Sequence, residues 1–211
     1  YLHYVLDLWF EKCIKKQLYG KAYLVRFADD FLIMFQYERD AQRVYEAVIK
    51  RMELFGLELS KEKTRILPFG RYSVSRETFD FLGFTHFNSK TRKGYYTVGH
   101  KISRKKKKQF KSNLKKWVKE NRNTQFDEFM KTLNKKLTGS VNYYSLSGMI
   151  KEVRNLWIHS LYVTFKWLNR RSQRKSFKLE KFYEIWNDRI IRPYIHVDIW
   201  SGDIVIYNKN V

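Results

Sequence analysis

The spacing of apolar residues changes character near residue 100 of this 211-residue chain. Before that point, short runs rich in aromatic and β-branched residues alternate with two stretches of helical period. After it, apolar residues recur every three or four positions over long segments. Short branched runs favour strands and a 3.6-residue period favours helix. The expected fold class is therefore α+β, with residues 1–100 carrying an antiparallel sheet with helices and residues 101–211 mostly helical. Two prolines and nine glycines leave little room for long linkers.

Leu2, Val5, Leu6, Trp9, Phe10, Cys13 and Ile14 predict a helix over 1–19, closed by Gly20, with Cys13 in the core. A second helix is expected over 38–55, with Ala41, Val44, Tyr45, Val48, Ile49, Met52 and Phe55 on one face and Gly56 as its stop. Leu57–Leu59, Thr64–Leu67, Thr78–Thr85 and Tyr95–Val98 read as strands. Helices follow at 103–121, 125–145, 148–171 and near 178–188, and Tyr194–Trp200 with Ile204–Tyr207 reads as a small hairpin. The run Leu156–Leu168 is interrupted by His159 and Lys166, so no membrane span is expected. No secretory signal pattern is expected either. One cysteine excludes a disulfide framework and fits a reducing compartment. The five histidines are too dispersed for a metal site.

Charge is distributed unevenly. The formal net charge is +22; residues 1–100 hold 17 Lys and Arg against 12 Asp and Glu, whereas residues 101–211 hold 26 against 9. The densest stretch contains Arg104, Lys105, Lys106, Lys107, Lys108, Lys111 and Lys115, and a second cluster contains Arg170, Arg171, Arg174 and Lys175. Like charges at this density repel unless a polyanion faces them, and cations that displace counterions from phosphates point to nucleic acid. An aromatic content of 18% excludes a disordered polycation. Trp117, Tyr143, Tyr144, Trp157 and Trp167 are candidates for stacking on unpaired bases. Trp157 and Phe165 also fit the apolar helix face and are expected in the core.

The sharpest local feature lies between two apolar runs, Ala22–Arg26 and Phe31–Phe35, separated by Phe27-Ala28-Asp29-Asp30. Two strands joined by so short a turn form a hairpin with the Asp pair at its tip. Adjacent carboxylates at a tight turn can converge on divalent ions, and oxygen ligands with water suit Mg²⁺. A metal pair about 4 Å apart can activate a hydroxyl and stabilise a transferring phosphoryl group. A solvated turn is the plain alternative.

Apolar strand, aromatic-Ala-Asp-Asp, apolar strand resembles the active-site hairpin of reverse transcriptases, whose signature is Tyr-x-Asp-Asp. Further segments match in order. Gly56-Leu-Glu-Leu-Ser-Lys-Glu-Lys63-Thr64 is similar to the next palm motif, and Phe79-Asp-Phe-Leu82-Gly83-Phe84 to the primer-grip strand. Tyr1–Phe10 resembles the helix preceding the catalytic hairpin in group II intron reverse transcriptases. Leu133–Tyr144 and Phe165–Phe177 resemble the thumb, or maturase-specific, domain of that family.

The resemblance implies a partial palm over 1–100 and a helical thumb/maturase domain with a short tail over 101–211. It implies RNA-directed DNA polymerisation by the complete protein, and binding of group II intron RNA to assist splicing. Asp29 and Asp30 would be two of three metal carboxylates. Phe27 and Ala28 would lie beneath the primer terminus, with Phe27 replacing the usual Tyr. Lys63 would protonate the departing pyrophosphate, a role open to an ammonium group, and Leu82, Gly83 and Phe84 would place the primer. The implied partners are intron RNA and an RNA template with its DNA primer. The implied setting is a ribonucleoprotein of the bacterial cytoplasm, with an organelle as the other option.

The family's third carboxylate belongs to an earlier strand. Asp7 and Glu11, the acids of residues 1–28, both fall on the opening helix. The chain is thus expected to be a truncation, a gene fragment or one half of a split protein, inactive as a polymerase unless a fingers/palm chain supplies the rest. A non-catalytic RNA-binding maturase remnant is the alternative. A stand-alone retron or defence enzyme fits the 133–176 motifs less well, and no paired-cysteine endonuclease tail is seen.

Overall fold

The computed structural model describes residues 1–60, 62–171 and 176–197. It is α+β and divides into two compact units, one of Tyr1–Leu82 with His86–Val98, the other of Gly83–Thr85 with Gly99 onward.

The first unit opens with helical turns, although the winding is wider than the sequence predicts. His3–Leu8 and Phe10–Ile14 are π-helical, and Lys15–Gln17 closes the segment as a 3-10 turn. The Lys15 N–H donates to the Phe10 carbonyl, five residues back. Winding by five residues moves the inward positions to Val5, Leu6 and Phe10. Cys13, expected in the core, is consequently exposed.

Strands β1 (Ala22–Phe27) and β2 (Asp30–Phe35) then pair antiparallel, in register from Ala22 opposite Phe35 to Phe27 opposite Asp30. Helix α1 (Glu38–Leu54) packs Val44, Val48 and Met52 against Val5, Leu6, Phe10 and Ala22. Burying a side chain such as Phe10 completely contributes about 1.5–3 kcal/mol. The helix ends as its glycine requires. The Leu57 N–H donates to the Met52 carbonyl (2.9 Å) and the Gly56 N–H to the Glu53 carbonyl (3.0 Å), with Gly56 at φ 68°. At its other end Asp40 is buried and accepts the N–H groups of Tyr19 (3.1 Å) and Gly20 (3.0 Å). Gly20 is needed for a spatial reason, since a Cβ there would lie 2.6 Å from the Tyr37 ring.

Two strand expectations fail. Leu57–Leu59 and Thr64–Leu67 are irregular, and Ser60 instead closes a turn by accepting from both the Thr64 N–H and Oγ1. The single strand expected over Thr78–Thr85 is a hairpin. Strand β3 (Thr78–Phe81) turns through Leu82 and Gly83, at φ 50° and 82°, into β4 (Phe84–Lys90), and β5 (Tyr96–Ile102) completes a sheet of order β3-β4-β5. Positive φ at both central residues is the signature of a type I′ turn, whose twist matches that of the flanking strands.

The second unit is built from α2 (Arg104–Asn121), α3 (Phe126–Tyr144), α4 (Ile150–Leu168) and α5 (Leu179–Arg189). Ser103 caps α2, its Oγ accepting the Lys106 N–H at 3.3 Å. Val118, Phe129, Leu133, Leu168, Phe182 and Trp186 form the centre of the core. A smaller cluster joins Ile102, Met149 and Leu156. Leu146 bridges to Val197, while residues 198–207 of the expected tail hairpin lie outside the described residues.

Candidate functional site

The β1–β2 register leaves Ala28 and Asp29 as the two-residue turn and makes Asp30 the first residue of β2. Both carboxylates are exposed, and neither has a side-chain partner among the described residues. Phe27 is 66% exposed beside them. Ala28 sits at φ 54°, a left-handed conformation that costs a residue with a Cβ about 1–3 kcal/mol.

The tip is braced from behind. Arg26 grips Asp7 of the opening helix with Nε (2.7 Å) and Nη2 (2.6 Å), and its Nη1 donates to the Ala28 carbonyl at 2.7 Å. The guanidinium, aided by His3 at 3.3 Å, holds the Asp7 carboxyl below the usual carboxylate range. In the sequence Asp7 falls on the opening helix, not on the strand that would carry the third carboxylate, and Arg26 carries no signal of a role. No spacing rule links a helix residue to a strand residue nineteen positions later.

Two neighbouring carboxylates with free oxygens suit Mg²⁺, which is commonly held by one or two carboxylates together with substrate phosphates. Among the described residues, no group of three or more His, Cys, Asp or Glu side chains is placed to share an ion. Lys63 is exposed on the irregular segment after α1, its N–H donating to the Ser60 carbonyl at 3.1 Å. The structure puts Gly83 and Phe84 in the second unit. There the Gly83 carbonyl accepts the Ser103 N–H at 3.0 Å, and Phe84 stacks on Tyr143 (5.6 Å) and meets Tyr144 edge-on (5.5 Å). Burial, and secondarily neighbouring Tyr143, raise the Tyr144 hydroxyl above the ordinary phenol range.

Helix α2 sorts the basic run by face. Arg104, Lys105, Lys106, Lys108, Lys111 and Lys115 are exposed, whereas half-buried Lys107 donates to Glu152 of α4 at 2.6 Å. Lys107 therefore serves the fold of the second unit. Of the stacking candidates, Trp157 is buried with its Nε1 donating to the Ile191 carbonyl, and Trp117 stacks on Phe129 at 5.0 Å. Those rings are committed to the core, which leaves Tyr143 as an exposed candidate. Phe165 packs against the same core.

Trp167 gathers cations around its ring, with Lys119 at 5.8 Å, Arg122 at 5.5 Å and Arg170 at 5.4 Å. Lys119 ends the densest basic stretch of the sequence, whereas Arg122, at the far end of α2 from the lysine run, carries no signal there. Arg171 is half-buried, its Nε and Nη2 enclosed without partners among the described residues, and desolvation lowers its guanidinium pKa from the ordinary value. Arg174 and Lys175 lie outside the described residues.

Residues 1–86 match the family model for reverse transcriptase (RNA-dependent DNA polymerase). Residues 107–185 match the model for the group II intron maturase-specific domain. The chain belongs to the group II intron reverse transcriptase/maturase family. Such a reverse transcriptase/maturase takes part in intron splicing. The first match encloses Asp29, Asp30, Lys63 and Leu82–Phe84; the second encloses Lys107 through Lys175 of the basic set, while Arg104–Lys106 precede it. No curated protein matches the chain. Among the described residues, no helix is long and apolar enough to cross a membrane.

Proposed function

We propose that Asp29 and Asp30 are two of the metal carboxylates of an RNA-directed DNA polymerase, and that the exposed face of α2 binds group II intron RNA. The first unit is then part of a palm and the second a thumb. The observation that carries this reading is the Asp pair itself: exposed, unpartnered among the described residues, and presented by a strained turn inside the segment that matches reverse transcriptases.

Mg²⁺ bound there would lower the charge barrier to attack by a primer hydroxyl on a nucleotide phosphate. The two carboxylates hold that charge at the tip. Phe27 and Ala28 offer an apolar surface for the primer terminus, and Lys63 supplies a proton to the leaving pyrophosphate. Leu82, Gly83 and Phe84 place the primer strand. Template RNA and DNA primer are the substrates, and the remaining carboxylate comes from a fingers/palm segment or partner chain. The working complex is a ribonucleoprotein with intron RNA, which we place in the bacterial cytoplasm.

A second reading has its own observation. Because the described residues bring no third acid to the Asp pair, this chain by itself is an RNA-binding maturase module. Primer extension on an RNA template with Mg²⁺, with RNA affinity measured in parallel, separates the two. Extension that disappears in Asp29→Asn/Asp30→Asn while RNA affinity holds supports the polymerase. Tight RNA binding without extension supports the binding module. Loss of both in the double variant would make the pair structural.

A further inference from the structure

The Asp7–Arg26–Ala28 chain serves no step described so far. One planar guanidinium uses three donors in two directions: Nε and Nη2 toward Asp7, and Nη1 toward the Ala28 carbonyl. It thereby ties the opening helix to the turn from which Asp29 projects. Ala28 and Leu82 are the non-glycine residues with positive φ among those described, and Ala28 immediately precedes the Asp pair. A strained residue persists only where its surroundings over-determine it. Here the constraint is visible as a charge-assisted bond to the strained residue's own carbonyl.

We propose that Asp7 and Arg26 are positioning residues that clamp Ala28 in its left-handed conformation and so fix the two carboxylates in their metal-binding geometry, an inference resting on the reading of Asp29 and Asp30 as a metal site. A lysine could not replace the arginine, because a single ammonium lacks the fork that reaches carboxylate and carbonyl together. Asp7 has a further task, since it neutralises a cation that would otherwise stand near a site meant for cations. Charge and geometry therefore predict opposite signs. By charge alone, removing Arg26 tightens divalent-ion binding; by geometry, it weakens it.

The test uses the 211-residue chain and Mn²⁺ as the probe, with free ion followed by electron paramagnetic resonance. Arg26→Gln, Arg26→Lys and Asp7→Asn should each weaken the Mn²⁺ site about tenfold. The double variant Asp7→Asn/Arg26→Gln should be no worse than either alone, as expected when two residues act through one contact. Unchanged or tighter binding in Arg26→Gln overturns the clamp.

A metal-free measurement keeps the clamp testable on its own. Ala28→Gly removes the strain, so it should raise Tm by about 2–4 °C in the native background. In the Arg26→Gln background, where Ala28 is released to relax, the gain should fall below half of that. Equal gains would mean that the turn alone imposes the conformation, and would overturn the proposal. If Asp29→Asn/Asp30→Asn leaves Mn²⁺ binding untouched, the metal reading fails instead, and the Tm pair decides the clamp.

Discussion

Lys107 and Lys108 are adjacent and chemically identical, yet the structure gives them different work. Lys107 is half-buried against Glu152, and Lys108 faces water. Lys107→Gln should therefore cost about 1 kcal/mol of stability with little effect on RNA affinity. Lys108→Gln should leave stability within about 0.5 kcal/mol and reduce both RNA affinity and its salt dependence, by one phosphate contact. Chemical denaturation and filter binding across a salt series check the pair. Two histidines of the second unit also have assignable behaviour. Burial lowers the pKa of His100, and burial with nearby Lys111 lowers that of His159. A histidine with a depressed folded-state pKa binds fewer protons folded than unfolded, so stability rises with pH across that interval. The contribution should be complete above about pH 6.5, the unfolded value, and fall as pH drops through the lower folded-state values. Thermal melts between pH 7 and 5 should show this loss, diminished in His159→Gln.

At the scale of elements, the local signals that held were those with a local cause. Ser103 at the start of α2 and Gly56 at the end of α1 satisfy orphan backbone groups within one turn, so their residue types mark the ends. The opening segment was misjudged in winding, because a stripe at three- and four-residue spacing also fits a wider turn, and packing on α1 and β1 selected Val5, Leu6 and Phe10. The Leu82–Gly83 turn was missed because Leu is an unusual occupant of a positive-φ position. Gly83 is the more exacting site. A Cβ there would meet Lys106 and the Tyr144 hydroxyl only at 3.5 and 3.6 Å, so space is adequate and φ 82° is the obstacle. Gly83→Ala should therefore destabilise by about 1–2 kcal/mol from backbone strain, measurable as a shift in denaturation midpoint with an unchanged m-value.

At the scale of the molecule, each unit closes on its own apolar cluster, around Phe10 in the first and Phe129 in the second. Phe10→Ala and Phe129→Ala should each cost about 3–5 kcal/mol. Amide hydrogen exchange should show the loss of protection concentrated in β1, β2 and α1 for the former, and in α2, α3 and α4 for the latter. Loss spread evenly over both units in either variant would mean that they unfold as one.

The sequence by itself determined the α+β class, the Asp-bearing hairpin, the helical second half and the family, because each rests on periodicity, turn chemistry or ordered motifs readable along the chain. Tertiary structure decided which aromatic rings and which cations remain exposed. Trp117 and Trp157 went to the core, and Lys107 went to Glu152. It alone joined Asp7 to Arg26 and Arg26 to Ala28. The reason is physical: periodicity fixes which face of an element is apolar, whereas a hydrogen bond between elements depends on where packing sets their side chains to within a few tenths of an ångström.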